Sequence, residues 1–197
     1  MTSDDIYYSM TKKLVKILKS RKIYSGDISI RIDKFKLSPN KTIEKEIVEH
    51  PPSVGIIPIA DHNHDILLVT QYRHGAGQIM LEIPAGKIKK DESPEKAALR
   101  EMAEETGYTG KLSLILRLYL APGYDTESMY IFVATNLKQL NKNVKMGLDD
   151  DEYNIKVKSI NLNDAVNKCI DGEIEDCKTV ASILTYSKLL TLQNRKR

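Results

Sequence analysis

The sequence predicts an α/β fold: a mixed sheet between helical layers, with an N-terminal β-hairpin appendage. Three observations predict it. Short apolar, strand-like runs recur between residues 54 and 135. Helical spacing appears after Ser93 and again over the last third of the chain. Pro51-Pro52 interrupts the chain after a hairpin-like stretch and marks a boundary, giving residues 1–50 as helix and hairpin and 51–197 as the catalytic domain.

Each element has its own signal. Over 4–20, Ile6, Met10, Leu14, Ile17 and Leu18 recur at helical spacing, so a short amphipathic helix is expected. Strand-like segments follow at 21–24, 27–37 and 42–49, with Ser38-Pro39-Asn40-Lys41 as the turn of a hairpin. Residues 54–59 form a buried strand, and 66–72 the next. Between them Asp61-His62-Asn63-His64-Asp65 is a polar hairpin loop rather than a metal site. Residues 79–83 lead into Pro84-Ala85-Gly86. Strands at 112–120 and 128–135 precede a polar, loop-like stretch at 136–152. A strand at 155–160 and helices at 162–170 and 176–192 complete the chain, with Asp171-Gly172 turning between the helices.

Composition excludes several classes. The chain has 197 residues, which suits one domain of ordinary size with a small N-terminal extension. Thirty basic against 27 acidic residues leave +3, too even and too scattered to argue for nucleic acid. There is no signal peptide and no apolar run of membrane-spanning length. Cys169 and Cys177 have no histidine or cysteine partners for a zinc pattern and are expected as reduced thiols in the cytoplasm. No Ser or Cys nucleophile stands beside a base.

The informative stretch follows Gly86. Ser93 can cap a helix, Pro94 suits its first position, and Gly107 suits its stop. At ~100° per residue, Ala98, Leu99, Met102 and Ala103 share one arc, and Glu101, Glu104 and Glu105 share the opposite face. Three carboxylates so close repel one another unless a positive group sits between them. Hard cations such as Mg²⁺ take such oxygens and keep waters for chemistry. Arg100, four residues before Glu104, can pair with a carboxylate and fix its orientation.

Gly86 to Tyr108 reads GKIKKDESPEKAALREMAEETGY and matches G-x5-E-x7-R-E-U-x-E-E-x-G-U at every fixed position, U being apolar or aromatic. It resembles the Nudix box, which builds a divalent-metal site for cleaving diphosphates. The resemblance implies the Nudix α/β/α sandwich. It also implies that Glu101, Glu104, Glu105 and the carbonyl of Ala85 hold two or three Mg²⁺ ions, Mn²⁺ being the alternative. Glu104, Glu105 and Arg100 fall in the catalytic set.

Further segments resemble the ADP-ribose pyrophosphatase subgroup: Gln71-Tyr72-Arg73, the LEIPAG entry at 81–86, Ala121-Pro122-Gly123-Tyr124-Asp125-Thr126-Glu127, and Ile170 to Ile174 followed by Lys178-Thr179. The similarity covers about residues 20–190. It implies that Arg73 contacts the substrate's diphosphate, a role that suits a forked guanidinium. Pro122 and Gly123 are carried over as substrate-binding, and Glu127 resembles a glutamate beside the terminal ribose. Glu82 is either a strand carboxylate at the cleft edge or a substrate ligand. A glutamate on the late acidic loop helps activate water in the subgroup. Glu152 is the choice here, with Asp150 or Asp151 as alternatives, because Lys156 stands where an acid is common.

The expected reaction is Mg²⁺-dependent hydrolysis of ADP-ribose to AMP and ribose 5-phosphate. The alternatives are another nucleoside diphosphate sugar, or a non-catalytic ADP-ribose sensor. The expected partner is a second copy in a homodimer, with the N-terminal strands completing the partner's site; neither nucleic acid nor membrane is expected.

Overall fold

The computed structural model describes residues 16–60, 64–140 and 155–195. The chain divides into two compact units. One comprises the chain up to Pro51 together with Ala121–Glu127. The other comprises Pro52–Leu120 and the chain from Ser128 onward.

The first unit is a three-stranded antiparallel sheet of β1 (Lys16–Ser25), β2 (Ser29–Ser38) and β3 (Lys41–Glu49), in that order. Pro39-Asn40 makes the tight turn between β2 and β3, with Ser38 paired to Lys41. Residues 16–20 correct the sequence expectation: they are strand, not helix. Adjacent apolar residues such as Ile17 and Leu18 fit either period, and pairing of 16–20 with 33–36 of β2 decides the outcome. The rest of the expected N-terminal helix lies outside the described residues. Asp33, 1% exposed, and Glu49 are both bound by Arg31, whose Nε donates to Asp33 Oδ2 (2.9 Å) and whose Nη1 donates to Glu49 Oε1 (2.6 Å).

The second unit is built on β4 (Ser53–Ala60), β5 (Asp65–Arg73), β6 (Gln78–Glu82), β7 (Ala85–Lys87), β8 (Tyr108–Tyr119), β9 (Ser128–Gln139) and β10 (Lys156–Asn161). The sheet order is β10-β5-β4-β9-β8, with β6 added on β5 and β7 on β4. β4 and β9 run parallel and the other pairs antiparallel, so the sheet is mixed. Among the described residues its helices are α1 (Pro94–Thr106), α2 (Leu162–Ile170) and α3 (Cys177–Asn194).

Side-chain alternation along the central strands produces two helical layers. Val54 and Ile56 of β4, with Phe132 and Ala134 of β9, pack against Ala97, Ala98 and Met102 of α1. Ile57 of β4, with Ile131 and Val133 of β9, packs on the other side with Leu162 and Ala165 of α2 and Ile183 of α3. β4 is buried on both faces, which is why it reads as a continuous apolar run rather than an alternating one. This unit is the expected helix–sheet–helix sandwich. Residues 136–139 depart from expectation: they extend β9 as strand, with Lys138 and Gln139 paired to Thr109 and Tyr108 of β8 beyond a register shift. Their side chains are mostly exposed, so no apolar pattern marks them.

Candidate active site

α1 is delimited as its sequence requires. Ser93 Oγ accepts from the N–H of Lys96 (3.3 Å), Pro94 opens the helix, and Gly107, at φ 75°, donates its N–H to Ala103 O (3.0 Å). The left-handed conformation at position 107 favours glycine. The structure corrects the expected opposite face: Glu101 and Glu105, at i+3 and i+7 from Ala98, share the buried side of the helix with Ala98 and Met102 and are 7% and 3% exposed.

Arg100 organises this face with its whole fork. Nε and Nη2 donate to Glu92 Oε1 and Oε2, both at 2.9 Å. Nη1 donates to Glu101 Oε1 (2.6 Å) and Glu104 Oε2 (3.0 Å), and Nη2 also reaches the carbonyl of Lys87 (3.0 Å). The guanidinium, aided by the N–H of Lys89, holds the Glu92 carboxyl well below the usual range, at about 2 despite some burial. The same carboxylates raise the affinity of Arg100 for its proton, Glu92 most of all.

Two backbone features of the Pro84-Ala85-Gly86 entry fix the remaining carboxylates. The N–H of Ala85 donates to Glu105 Oε2 (3.1 Å). At Gly86 the Glu101 carboxylate rests against the main chain, since a β-carbon there would lie 2.1 Å from Glu101 Cδ. The entry is itself held, because Pro84 O accepts from the N–H of Ile56 (2.9 Å).

A second cluster lies at the ends of β5 and β6. Arg73 forks onto Glu82, Nε to Oε1 at 2.8 Å and Nη2 to Oε2 at 2.7 Å. Glu82 is 1% exposed and also accepts from the ammonium of Lys178. Burial pushes the Glu82 carboxyl up, but Arg73 and Lys178 outweigh it and hold the group below its usual range. Arg73 is raised, first by Glu82 and also by the charges of Glu105 and Asp176, so it lies within the field of the box helix.

Glu101, Glu104, Glu105, Arg100 and Ala85 are thus interlinked, and Arg73 and Glu82 form a pair. Glu82 is a buried carboxylate that anchors Arg73. Pro122, Gly123 and Glu127 belong to the other unit. Pro122 and Gly123 lie in a turn where the N–H groups of Tyr124 and Asp125 donate to Ala121 O (3.1 and 2.9 Å). This segment is bonded to Val48, and Glu127 Oε2 is 3.6 Å from His50 Nδ1. Glu152, like Asp150 and Asp151, lies outside the described residues.

A Nudix domain model matches residues 49–181. The chain belongs to the Nudix family. It is 36% identical to an ADP-ribose pyrophosphatase of Bacillus subtilis (strain 168), over 92% of this chain and 97% of that protein. It is 35% identical to a methanol dehydrogenase activator of Bacillus methanolicus, over 85% and 90%. A solved structure described as an ADP compounds hydrolase shares the fold, with a TM-score of 0.79, 23% identity, and coverage of 93% of this chain and 97% of that one.

The donor set fits the divalent metal that Nudix hydrolases generally use. Hard carboxylate oxygens are gathered on one rigid helix, and the glycine at 86 leaves room for Glu101 against the backbone. Among the described residues no three acidic, histidine or cysteine side chains are grouped as a metal shell, and Arg100 pairs with both Glu101 and Glu104. Lys178, Asp176 and Thr179 were not assigned contacts from the sequence. The available signal was Asp176 three residues before Thr179, which marks the N-terminus of α3.

Proposed function

We propose that this Nudix protein hydrolyses ADP-ribose to AMP and ribose 5-phosphate with Mg²⁺ as its metal, Mn²⁺ being the substitute. The chain is a hydrolase of diphosphates; which diphosphate it takes is the proposal. The observation that carries it is the part-buried framework in which Arg100 orders Glu92, Glu101 and Glu104 while Ala85 N–H orders Glu105. The ADP-ribose pyrophosphatase similarity over nearly the whole chain favours ADP-ribose among the diphosphates.

Glu101, Glu104, Glu105 and the Ala85 carbonyl would hold the metal. A divalent cation bound there offsets the diphosphate charge and lowers the pKa of its water. Arg73, anchored by Glu82, offers the rest of its fork to phosphate oxygens. A glutamate, Glu152 or a box carboxylate, takes the proton of the attacking water. The water oxygen bonds to one phosphorus, the bridging P–O bond breaks, and two phosphomonoesters leave. Pro122, Gly123 and Glu127 are proposed on the substrate side, with Glu127 near the terminal ribose.

We also propose a cytoplasmic homodimer formed through the first unit. Every residue of β1 is exposed in the single chain, Ile17, Leu18, Ile23 and Tyr24 among them. Among the described residues no helix is long and apolar enough to cross a membrane.

The test is a panel of ADP-ribose, other nucleoside diphosphate sugars, dinucleotides and nucleoside triphosphates with Mg²⁺, read by product analysis in ¹⁸O-water. ADP-ribose is expected to give the highest kcat/KM, with label in one product only. A clearly higher value for GDP-mannose or a triphosphate overturns the substrate. Tight ADP-ribose binding without turnover points to a sensor.

A further inference from the structure

The first turn of α3 grips the strand that leads into the box. Lys178 is 7% exposed, and its ammonium contacts Glu82 Oε2 and, at 2.9 Å, Asp176 Oδ1. Thr179, fully buried, accepts from the N–H of Ile83 (2.9 Å) and donates to Asp176 Oδ2. Two successive helix residues therefore hold two successive residues at the end of β6. Pro84 and Ala85 come next, and Ala85 holds Glu105.

Charge balance shows what Lys178 contributes. Arg73 commits Nε and Nη2 to Glu82, so Nη1 is the edge of its fork left to face a ligand, and the side chain is 38% exposed. With Lys178 present, two cations face two carboxylates, Glu82 and Asp176. Without it, both carboxylates would face one guanidinium, and the cluster would be net negative where an anionic diphosphate is to bind. Glu82 is too deeply buried for water to compensate.

We propose that Lys178 is a positioning residue for the substrate's diphosphate, acting through Glu82 to keep the Arg73 fork outward and to stop the cluster around it from becoming net negative. This rests on the proposed function, in which Arg73 meets the diphosphate. The role differs from a merely structural one, because the Ile83–Thr179–Asp176 bonds anchor the strand without Lys178.

The experiment compares Lys178→Met, Lys178→Arg, Glu82→Gln and Glu82→Gln/Lys178→Met with the wild type, using the nucleoside diphosphate compound turned over best. Lys178→Met should raise KM about tenfold, with kcat within about threefold, as expected for losing one charge-assisted contact. Lys178→Arg should restore KM to within about threefold. In the Glu82→Gln background, removing Lys178 should change KM less than about threefold, because the carboxylate through which it acts on Arg73 is gone and Arg73 alone then balances Asp176. That comparison also decides the matter if Lys178→Met does not fold. An unchanged KM in Lys178→Met with a lowered Tm, or a further tenfold rise in the Glu82→Gln background, overturns the proposal while leaving the hydrolase reading intact. A wild-type protein that turns over no nucleoside diphosphate compound overturns both.

Discussion

Gly86 and Glu101 claim the same space: a β-carbon at position 86 would lie 2.1 Å from Cδ of Glu101 and 2.2 Å from its Oε1. The glycine that opens the box is therefore steric room for a carboxylate fifteen residues later. Gly86→Ala should leave α1 and the sheet folded but displace Glu101. A misplacement of about 1 Å at a reacting centre costs on the order of 10²-fold in rate, and kcat should fall by that much. Circular dichroism should be unchanged. Full activity in Gly86→Ala would show that Glu101 need not sit against the backbone.

The carboxylates beside Arg100 and Ala85 should be needed for turnover. Glu104→Gln and Glu105→Gln keep the shape but remove a charge, and each should lower kcat by at least about 10²-fold, the scale of losing a general base or metal ligand. EDTA should abolish wild-type activity, and Mg²⁺ should restore it. Turnover that persists in EDTA would sink the metal requirement.

The local part of this site was legible in the sequence because its logic is helical. Glu101, Glu104, Glu105 and Arg100 are neighbours by spacing alone, and the Arg100–Glu104 pair is an i, i+4 contact. The caps at Ser93 and Gly107 are equally local. The contacts that escaped are distant in sequence. Lys178 and Glu82 are 96 residues apart, and nothing in either segment names the other. The same holds for the strand at 16–20, decided by pairing with β2, and for 136–139, where Leu137 alone among exposed polar residues carries no period. The burial of Glu101 and Glu105 was also hidden, since acidic residues on an amphipathic helix ordinarily face water.

The Glu92–Arg100 pair should make stability fall in acid. Glu92 titrates at about 2 in the fold against 4.5 ordinarily, so its carboxylate is favoured by folding. A depressed folded pKa contributes stability that is fully present above about 4.5 and lost as the pH falls toward about 2. Glu82 is shifted in the same direction. Urea unfolding at about pH 5 and about pH 3 should therefore show a stability loss in the wild type, and a smaller one in Glu92→Gln, which has no proton to gain there. Equal pH dependence in the two proteins would assign the acid sensitivity to other groups.

The N-terminal sheet should carry the dimer. Among the described residues the β3 edge is bridged at Val48 by the 121–127 segment, whereas the β1 edge of the sheet pairs with nothing further and carries apolar side chains in the open. β1 exposes Ile17 (52%), Ile23 (47%) and Tyr24 (56%) on such an edge, where a second chain can pair. A symmetric dimer is the commonest way for a soluble chain to cover such a surface. Light scattering should give twice the 22.3 kDa chain mass. Ile23→Asp with Tyr24→Asp places charge on that edge and should return the monomer, with the second unit still folded. If the strands complete the partner's substrate site, KM for the diphosphate substrate should rise in the same variant while kcat at saturation changes less, because the box carboxylates are untouched. A wild-type monomer that binds ADP-ribose tightly would defeat the dimer and leave β1 exposed for another reason.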